Sequence, residues 1–304
     1  MRLIIRRRPT KENRDSRKNL PKTMITAKQK QVFLPKAVNA AIRAGRAILD
    51  IYESPEHALF DLKKDKTPIT TADRRAHEII KQYLGFIRIP ILSEEGRELL
   101  YEERKAWDLF WLVDPLDGTV EFLKGNGEFT VNIALMVDNH PTIGVIYVPY
   151  KGELYFNDPD KGAYKRENVT ATADVEWTYD DLFEGSVSLP SVAPSEQKPL
   201  RVAISRSHNT PETFAHIDSL RTKYPDLEVV EQGSSYKFCL IAEGSVDYYV
   251  RTTKTYEWDT AAGEAILTAA GGQTLSYPEG EPLKYNDEWI ENPHFTCRGR
   301  RCVL

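Results

Sequence analysis

One segment restricts the fold more than any other: an apolar run that leads directly into two acidic residues. Phe110–Val113 is followed by Asp114-Pro-Leu-Asp117-Gly-Thr119. This order predicts a strand that delivers carboxylates at its end, on a turn that the intervening proline stiffens. Mg²⁺ takes hard oxygen ligands in a tight octahedron. Asp114, Asp117 and the carbonyl of Leu116 between them can supply one wall of such a site.

The same segment has a more ordinary interpretation. Asp-Pro and Asp-Gly are common turn pairs, so the two acids also suit an acidic surface turn. If a helix begins after Gly118, its first N–H groups add donors for a phosphate. Spacing alone does not choose between a metal site and a turn.

Other acids also have simple explanations when each is taken singly. Glu94-Glu95 follows a short apolar run and suits a solvated pair. Asp259 stands just ahead of a predicted helix, where Asp is a favoured N-cap. Asp73 lies three residues after Thr70 at another predicted helix start, which matches a capping box. Only their joint occurrence, in this order, indicates a metal site.

Hydrophobic periodicity predicts a mixed architecture. The first half reads as α+β, and the second half alternates strands with helices, which is typical of an α/β layer. Predicted helices cover 32–51, the stripe 79–84, a segment from Pro211, 235–243 and 260–270. Predicted strands cover 89–92, 110–113, 129–137, 142–150, 153–156, 201–205, 227–232 and 246–250. Residues 61–71 are predicted to form a loop.

Three regions are predicted along the chain. Residues 1–31 are a basic, disordered N-terminal extension. A loop-rich stretch, 168–198, ends a first half (32–198) that holds most of the metal-binding candidates, and 199–304 forms the second half. The two halves are expected to make one continuous unit.

The basic extension contrasts with an acidic body. Met1–Lys30 carries eleven Lys/Arg and two Asp/Glu, a charge of +9, so a formal total of −4 leaves −13 for the rest. A basic arm can bind nucleic acid or a membrane surface. Because this arm lacks interleaved aromatics, a disordered tail or a true start at Met24 is favoured, and no nucleic-acid partner is expected. An acidic body that handles phosphate needs cations, which indicates metal ions.

Composition disfavours several other classes. The 304 residues contain no apolar run near the roughly 20 residues of a membrane span, and residues 1–5 are too short for a secretory signal. Cys239, Cys297 and Cys302 suit neither a disulfide framework nor a CxxC pair. The cytoplasm is therefore the expected location, while peripheral membrane contact and the oligomeric state stay open.

The acidic motifs, in this order, resemble the signature of the inositol monophosphatase superfamily. The matching positions, within a similarity from about Val32 to Phe295, are Asp73, Glu94-Glu95, Asp114-Pro-Leu-Asp117-Gly-Thr119 and Trp258-Asp259-Thr-Ala-Ala-Gly263. The resemblance implies a layered αβαβα sandwich and a lithium-sensitive phosphomonoesterase that uses two or three Mg²⁺ ions. The metal ligands that it implies are Glu94, Asp114, the Leu116 carbonyl, Asp117 and Asp259.

The resemblance also implies that Asp73 and Thr119 activate the attacking water. The chemistry agrees, because bound Mg²⁺ can generate the nucleophile, orient the phosphate and stabilise the leaving group. A threonine hydroxyl accepts a proton poorly unless an aspartate accepts the hydroxyl's own proton. No Ser, Cys or His nucleophile is then needed.

Three further segments resemble the bacterial CysQ-type 3′(2′),5′-bisphosphate nucleotidases: Glu121–Leu135, Ile204–His208 and Gln232–Cys239. Those enzymes convert adenosine 3′,5′-bisphosphate to AMP and phosphate in sulfur metabolism, and can act on 3′-phosphoadenosine 5′-phosphosulfate. The resemblance implies a small-molecule nucleotide substrate. The residues that it places around this substrate are Glu94, Asp117, Gly118, Thr119, Ser205, His208, Gly233, Lys237 and Asp259.

Simpler interpretations of the nucleotide residues remain beside that one. Lys237 as a point charge, and the backbone of Gly233 at a helix start, suit a second, unreacted phosphate. Without the resemblance, Lys237 is a solvated helix lysine and His208 a loop histidine. An inositol or sugar monophosphate phosphatase is the alternative activity. A non-catalytic nucleotide- or lithium-sensing module is disfavoured, because the acidic signature is complete.

Overall fold

The structure is a computed structural model that describes residues 25–54, 59–63, 67–170, 176–192, 199–300 and 302. Most of the predicted extension, including Met24, lies outside the described residues. Its boundary at residue 31 is wrong, since helix α1 (Ala27–Tyr52) begins five residues before Val32. Thr26 caps this helix: its hydroxyl accepts the Gln29 N–H at 3.2 Å, and the Gln29 side chain accepts the Thr26 N–H at 2.8 Å.

The described residues contain six further α-helices and fourteen strands. The helices are α2 Thr71–Gly85, α3 Tyr101–Arg104, α4 Thr119–Leu123, α5 Pro211–Lys223, α6 Tyr236–Glu243 and α7 Glu257–Ala269. The first strands are β1 Phe60–Leu62, β2 Pro68–Thr70, β3 Ile91–Ser93, β4 Leu109–Asp117, β5 Thr130–Val137, β6 His140–Val148 and β7 Glu153–Asp158. The others are β8 Gly162–Arg166, β9 Val187–Ser188, β10 Arg201–Ser205, β11 Glu228–Gln232, β12 Tyr248–Arg251, β13 Gln273–Ser276 and β14 Phe295–Arg298.

Two large sheets and one hairpin contain these strands. The seven-stranded sheet runs β3-β4-β5-β6-β7-β8-β9 and is antiparallel except for the β3–β4 pair. The five-stranded sheet runs β11-β10-β12-β14-β13, where β10 pairs in parallel with both of its neighbours. β1 and β2 form a separate antiparallel hairpin.

Helices alternate with the sheets to give five layers. α1 and α2 cover one face of the seven-stranded sheet, where Leu34 and Ile80 pack with Trp111. α6 and α7 lie between the two sheets, and Phe238 and Ile266 belong to this second core. α5 closes the outer face of the five-stranded sheet through its own small core. The predicted αβαβα sandwich is confirmed.

Local signals for the ends of helices are also confirmed. Thr210 caps α5, with proline at the first helical position. Gly244 ends α6 in the left-handed conformation that glycine adopts readily. The predicted start of the last helix at Thr260 is wrong, because α7 begins at Glu257. Asp259 therefore occupies the third helical position and is not the N-cap.

Several short strands were not predicted. The predicted loop 61–71 contains residues of both β1 and β2, and it also contains the first residue of α2. β1 is exposed along its length, so it has no buried face that alternation could mark. β8, β9, β13 and β14 are two to five residues long and lie where no strand was predicted.

The division of the chain at residue 198 stays a prediction. The seven-stranded sheet uses residues 91–188 and the five-stranded sheet uses 201–298, but α7 packs against strands of both. None of the helices in the described ranges combines the length and the hydrophobicity of a membrane-spanning segment. The cytoplasmic location also stays a prediction.

Candidate active site

One cavity receives most of the predicted site residues. It opens where β4, α4, β10, the start of α6 and the start of α7 meet. The predicted residues that line it are Glu94, Asp114, Leu116, Asp117, Gly118, Thr119, Ser205, His208, Lys237 and Asp259. Asp73 lies behind this wall, and Gly233 does not line the cavity.

Three carboxylates form the acidic end of the cavity. Glu94 follows β3, Asp114 lies on β4 and Asp259 lies on the first turn of α7, and each offers an oxygen within 4.8 Å of the others. Asp114 is buried, whereas Glu94 and Asp259 are half-buried. The three therefore come together from both large halves of the chain.

The electrostatics of this cluster favour a bound cation. Burial, and then the neighbouring acids, raise the pKa of Asp114 and of Asp259 well above the usual range of aspartate. Burial raises the pKa of Glu94 to about 7. Carboxylates this close repel each other when ionised, and a hard cation relieves that repulsion. The set of donors fits Mg²⁺.

A bulge in β4 places the next ligand candidates beside the cluster. The register between β4 and β5 shifts between Asp114 and Asp117. The Asp117 carboxylate accepts the Ser235 N–H at 2.5 Å and the Asn132 amide at 3.4 Å. Its charge also contributes to the raised pKa of Asp114. Asp117 is thus tied to the start of α6 while it faces the acidic end.

The Asp73 carboxylate accepts hydrogen bonds from two residues, Thr70 and Thr119. One carboxylate oxygen accepts the backbone N–H of Thr70 at 2.7 Å and its hydroxyl at 2.6 Å, which completes the predicted capping box of α2. The other oxygen accepts the hydroxyl of Thr119 at 3.2 Å. Burial raises the pKa of Asp73, and the bonds from Thr70 oppose that change. The capping interpretation and the catalytic interpretation are therefore compatible.

Lys63 is a charged neighbour of the acidic end that was not predicted. Its ammonium lies 2.7 Å from Glu94 and 2.5 Å from Glu95. Although burial opposes it, these two carboxylates raise the pKa of Lys63. Nothing local marks this lysine in a stretch that reads as a polar loop.

Cationic residues line a second part of the cavity, which we call its cationic end. Lys237 is 2% exposed, and its ammonium donates to the carbonyls of Gln232 at 3.0 Å and Ser234 at 2.6 Å. Burial lowers the pKa of Lys237 to about 8, and the charge of Arg251 acts in the same direction. Burial and Arg251 also lower the pKa of His208.

Arg251 is a second residue that was not predicted. It lies at the end of β12, lines the cavity and has a buried Nε with no hydrogen-bond partner among the described residues. Its guanidinium donates to the Lys254 carbonyl at 3.3 Å. Arg251 therefore retains donors for an anion in the cavity.

The role predicted for Gly233 needs a correction. Its N–H donates to the Glu128 carboxylate at 2.7 Å, so it is not available to a phosphate in this structure. Glu128 also holds the Arg206 guanidinium through two bonds of 2.6 and 2.7 Å. A Cβ at position 233 would lie 2.6 Å from Cγ of Glu121. Gly233 thus permits close packing instead of presenting a donor.

Comparison with known proteins agrees with this geometry. The model of the inositol monophosphatase family matches residues 29–297. The 3′(2′),5′-bisphosphate nucleotidase CysQ of Buchnera aphidicola is 41% identical over 84% of this chain and 88% of that protein. The CysQ of Salmonella typhimurium is 38% identical over 86% of this chain and 98% of that protein.

A solved structure leads to the same conclusion. CysQ from Bacteroides thetaiotaomicron, a bacterial member of the inositol monophosphatase family, is 45% identical, with a TM-score of 0.81. The match covers 90% of this chain and 98% of that one. The resemblance seen in the acidic motifs is confirmed, and the chain belongs to the inositol monophosphatase family.

Proposed function

We propose that this protein is a 3′(2′),5′-bisphosphate nucleotidase that hydrolyses adenosine 3′,5′-bisphosphate to AMP and phosphate. The observation that carries this proposal is a single cavity with carboxylates at one end and cations at the other. Such a cavity suits a substrate with one phosphate to hydrolyse and a second to bind. Relatives named for this activity cover most of the chain.

The acidic end is the place for the metal. Enzymes of this family are generally Mg²⁺-dependent. Bound Mg²⁺ would neutralise the phosphate oxygens and make water a better nucleophile. The groups that would hold two or three ions are Glu94, Asp114, the Leu116 carbonyl, Asp117 and Asp259. Inhibition by Li⁺ belongs to the same proposal.

Thr119 and Asp73 supply the proton relay. The Thr119 hydroxyl already donates to Asp73, so its oxygen lone pairs are directed away from that carboxylate. A water beside Thr119 gives its proton to this oxygen as the hydroxyl proton moves to Asp73. Burial raises the pKa of Asp73, which makes it a better acceptor. Its second oxygen stays bonded to Thr70, which fixes its orientation.

The cationic end binds the phosphate that does not react. Lys237 and Arg251 present positive charge to the cavity, and the exposed His208 lies beside them. Ser205 accepts the N–H of His208 at 3.1 Å, which orders that loop. An inositol monophosphate would leave this end without an anion. The second charge is therefore the basis of the preference for a nucleotide.

A substrate panel tests the proposal. Phosphate release would be measured with adenosine 3′,5′-bisphosphate, 3′-phosphoadenosine 5′-phosphosulfate, inositol 1-phosphate and fructose 1,6-bisphosphate, in Mg²⁺ with and without Li⁺. We expect both nucleotides to be hydrolysed, and EDTA or Asp117→Asn to abolish the reaction.

Two outcomes would contradict this assignment. A preference for inositol 1-phosphate by orders of magnitude would replace the nucleotide with an inositol phosphate and keep the chemistry. Tight nucleotide binding without phosphate release in Mg²⁺ would identify a sensing module. The variant Glu231→Gln, which changes an exposed acid outside the cavity, serves as the control.

A further inference from the structure

A buried carboxylate in the cavity wall has no role in the site described so far. Glu121 lies on α4, lines the cavity and is 2% exposed. No described residue donates a hydrogen bond to its Oε1. Buried carboxylate oxygens are normally paired, since they lose water without compensation when they are not. Glu121 therefore retains an acceptor for a ligand.

Packing, rather than hydrogen bonding, holds this side chain in place. The Cγ of Glu121 lies so close to Gly233 that a Cβ there would be 2.6 Å away. The same Cβ would lie 2.8 Å from the backbone oxygen of Glu128. The absence of a side chain at position 233 is thus what makes room for Glu121 beside the cavity.

The position of Glu121 is intermediate between the two ends of the cavity. It follows Thr119 by two residues on the single turn of α4, and the Thr119 hydroxyl lies 3.4 Å from the carbonyl of the candidate ligand Leu116. Its charge partly opposes the lowering of the pKa of His208 and of Lys237, so it is also near the cationic end. A ligand that spans the cavity passes this carboxylate.

The chemistry of a nucleoside 3′,5′-bisphosphate fits that position. Its ribose joins the two phosphates, so in the bound substrate the ribose lies between the acidic end and the cationic end. With both the 3′ and 5′ oxygens phosphorylated, the 2′ hydroxyl is the only free hydroxyl of the sugar. A carboxylate oxygen is a strong acceptor for a hydroxyl donor.

We propose that Glu121 is a specificity-determining residue that accepts a hydrogen bond from the free ribose hydroxyl of the substrate. This inference rests on the proposed nucleotidase function. It assigns recognition of the sugar to a residue distinct from those that bind either phosphate. A substrate without that hydroxyl leaves the buried acceptor unpaired, which is the situation in which an enzyme discriminates most strongly.

The experiment compares two substrates that differ by one oxygen atom. kcat/KM would be measured for adenosine 3′,5′-bisphosphate and 2′-deoxyadenosine 3′,5′-bisphosphate with the wild type, Glu121→Ala and Glu121→Gln. We expect the wild type to prefer the ribonucleotide by roughly 100-fold, near the upper end of what one hydrogen bond to a charged group contributes. In Glu121→Ala the preference falls to about 3-fold, mainly through loss of activity on the ribonucleotide.

Two further variants separate recognition from folding. Glu121→Gln keeps an acceptor oxygen and the side-chain shape, so it retains part of the preference even if the alanine variant does not fold. Glu231→Gln, which removes an exposed acid on neighbouring β11, retains the full preference of the wild type.

The outcomes distinguish this proposal from the one on which it rests. If Glu121→Ala, or the glutamine variant in its place, loses activity equally on both substrates, the ribose contact is wrong and the nucleotidase function stands. If the wild type hydrolyses the two nucleotides equally well, the ribose contact is likewise wrong and the nucleotidase function stands. If the wild type hydrolyses neither nucleotide but releases phosphate from inositol 1-phosphate, both proposals are wrong.

Discussion

The closely spaced carboxylates at the acidic end lead to a prediction: one substitution there should raise stability and abolish activity. Asp114→Asn removes one charge from the group that contains Glu94 and Asp259. The asparagine oxygen can still accept the Leu116 N–H, which lies 3.0 Å from Asp114. Without metal, the variant is therefore expected to be more stable than the wild type, although it loses phosphatase activity.

The magnitude follows from the spacing. Two unit charges 4.8 Å apart repel by about 3.5 kcal/mol at an effective dielectric constant of about 20. Proton uptake by the cluster relieves part of this, because the pKa of Glu94 is raised to about 7. A net gain of about 1–3 kcal/mol corresponds to about 2–5 °C in the unfolding temperature of a chain of this size.

Thermal unfolding followed by circular dichroism in EDTA at pH 8 measures this gain. Because these carboxylates have raised pKa values in the folded state, the metal-free wild type binds more protons folded than unfolded. Its stability is therefore fully present below the unfolded pKa of about 4 and declines as the pH rises towards 7. The advantage of Asp114→Asn should accordingly be small near pH 4.5 and full at pH 8.

In Mg²⁺ the wild type should instead unfold at a higher temperature than Asp114→Asn. At 100 times the dissociation constant, a bound ligand stabilises the folded state by about 2.7 kcal/mol, and the variant has lost one ligand. Asp226→Asn, at an exposed position, is the matched control and should leave the unfolding temperature unchanged both in EDTA and in Mg²⁺. If Asp114→Asn unfolds at or below the wild-type temperature in EDTA at pH 8, the repulsion inferred from the cluster is not present.

Three shorter predictions concern the relay and the cationic end. Thr119→Val should lower kcat by about 10²–10⁴-fold, whereas Thr119→Ser should keep most activity because it retains a hydroxyl that can donate to Asp73; equal losses would contradict the relay. For the wild type, kcat/KM for the bisphosphate should decline above pH 8, where Lys237 loses its proton. Lys237→Met should give a lower profile without that decline, and parallel profiles would exclude this lysine. Arg251→Met should lower kcat/KM about 30-fold more for adenosine 3′,5′-bisphosphate than for 3′-AMP, as expected for a charged hydrogen bond to the second phosphate; equal losses would show that Arg251 does not bind it.

The acidic end could be predicted because its members are marked locally. Asp114 follows a predicted apolar strand, Glu94 follows another, and Asp259 stands just ahead of a predicted helix. Each pattern has an ordinary explanation. For Asp73 that explanation holds alongside the proposed role, whereas Asp259 is not the N-cap of α7. Asp73 is a capping residue of α2 and also the acceptor of the Thr119 hydroxyl.

The residues that were missed depend on distant partners. Lys63 pairs with a glutamate 31 positions away, and the Gly233 N–H is taken by a carboxylate 105 positions away. Arg251 ends a four-residue strand without any pattern that marks a binding residue. Neighbours in sequence carry no signal for such contacts, because only the packing of the two sheets brings these groups together.

The bond from the Ser235 N–H to Asp117 ties the start of α6 to a candidate metal ligand. The Ser235 hydroxyl also contacts Asn132 at 2.7 Å and Thr130 at 2.8 Å, so the link is braced from β5. Substitutions that change substrate preference would therefore disturb catalysis most when they lie at the start of α6. Changes at Arg251 would be tolerated better. New substrate specificities should accordingly arise through substitutions in β12 before they arise through substitutions in α6.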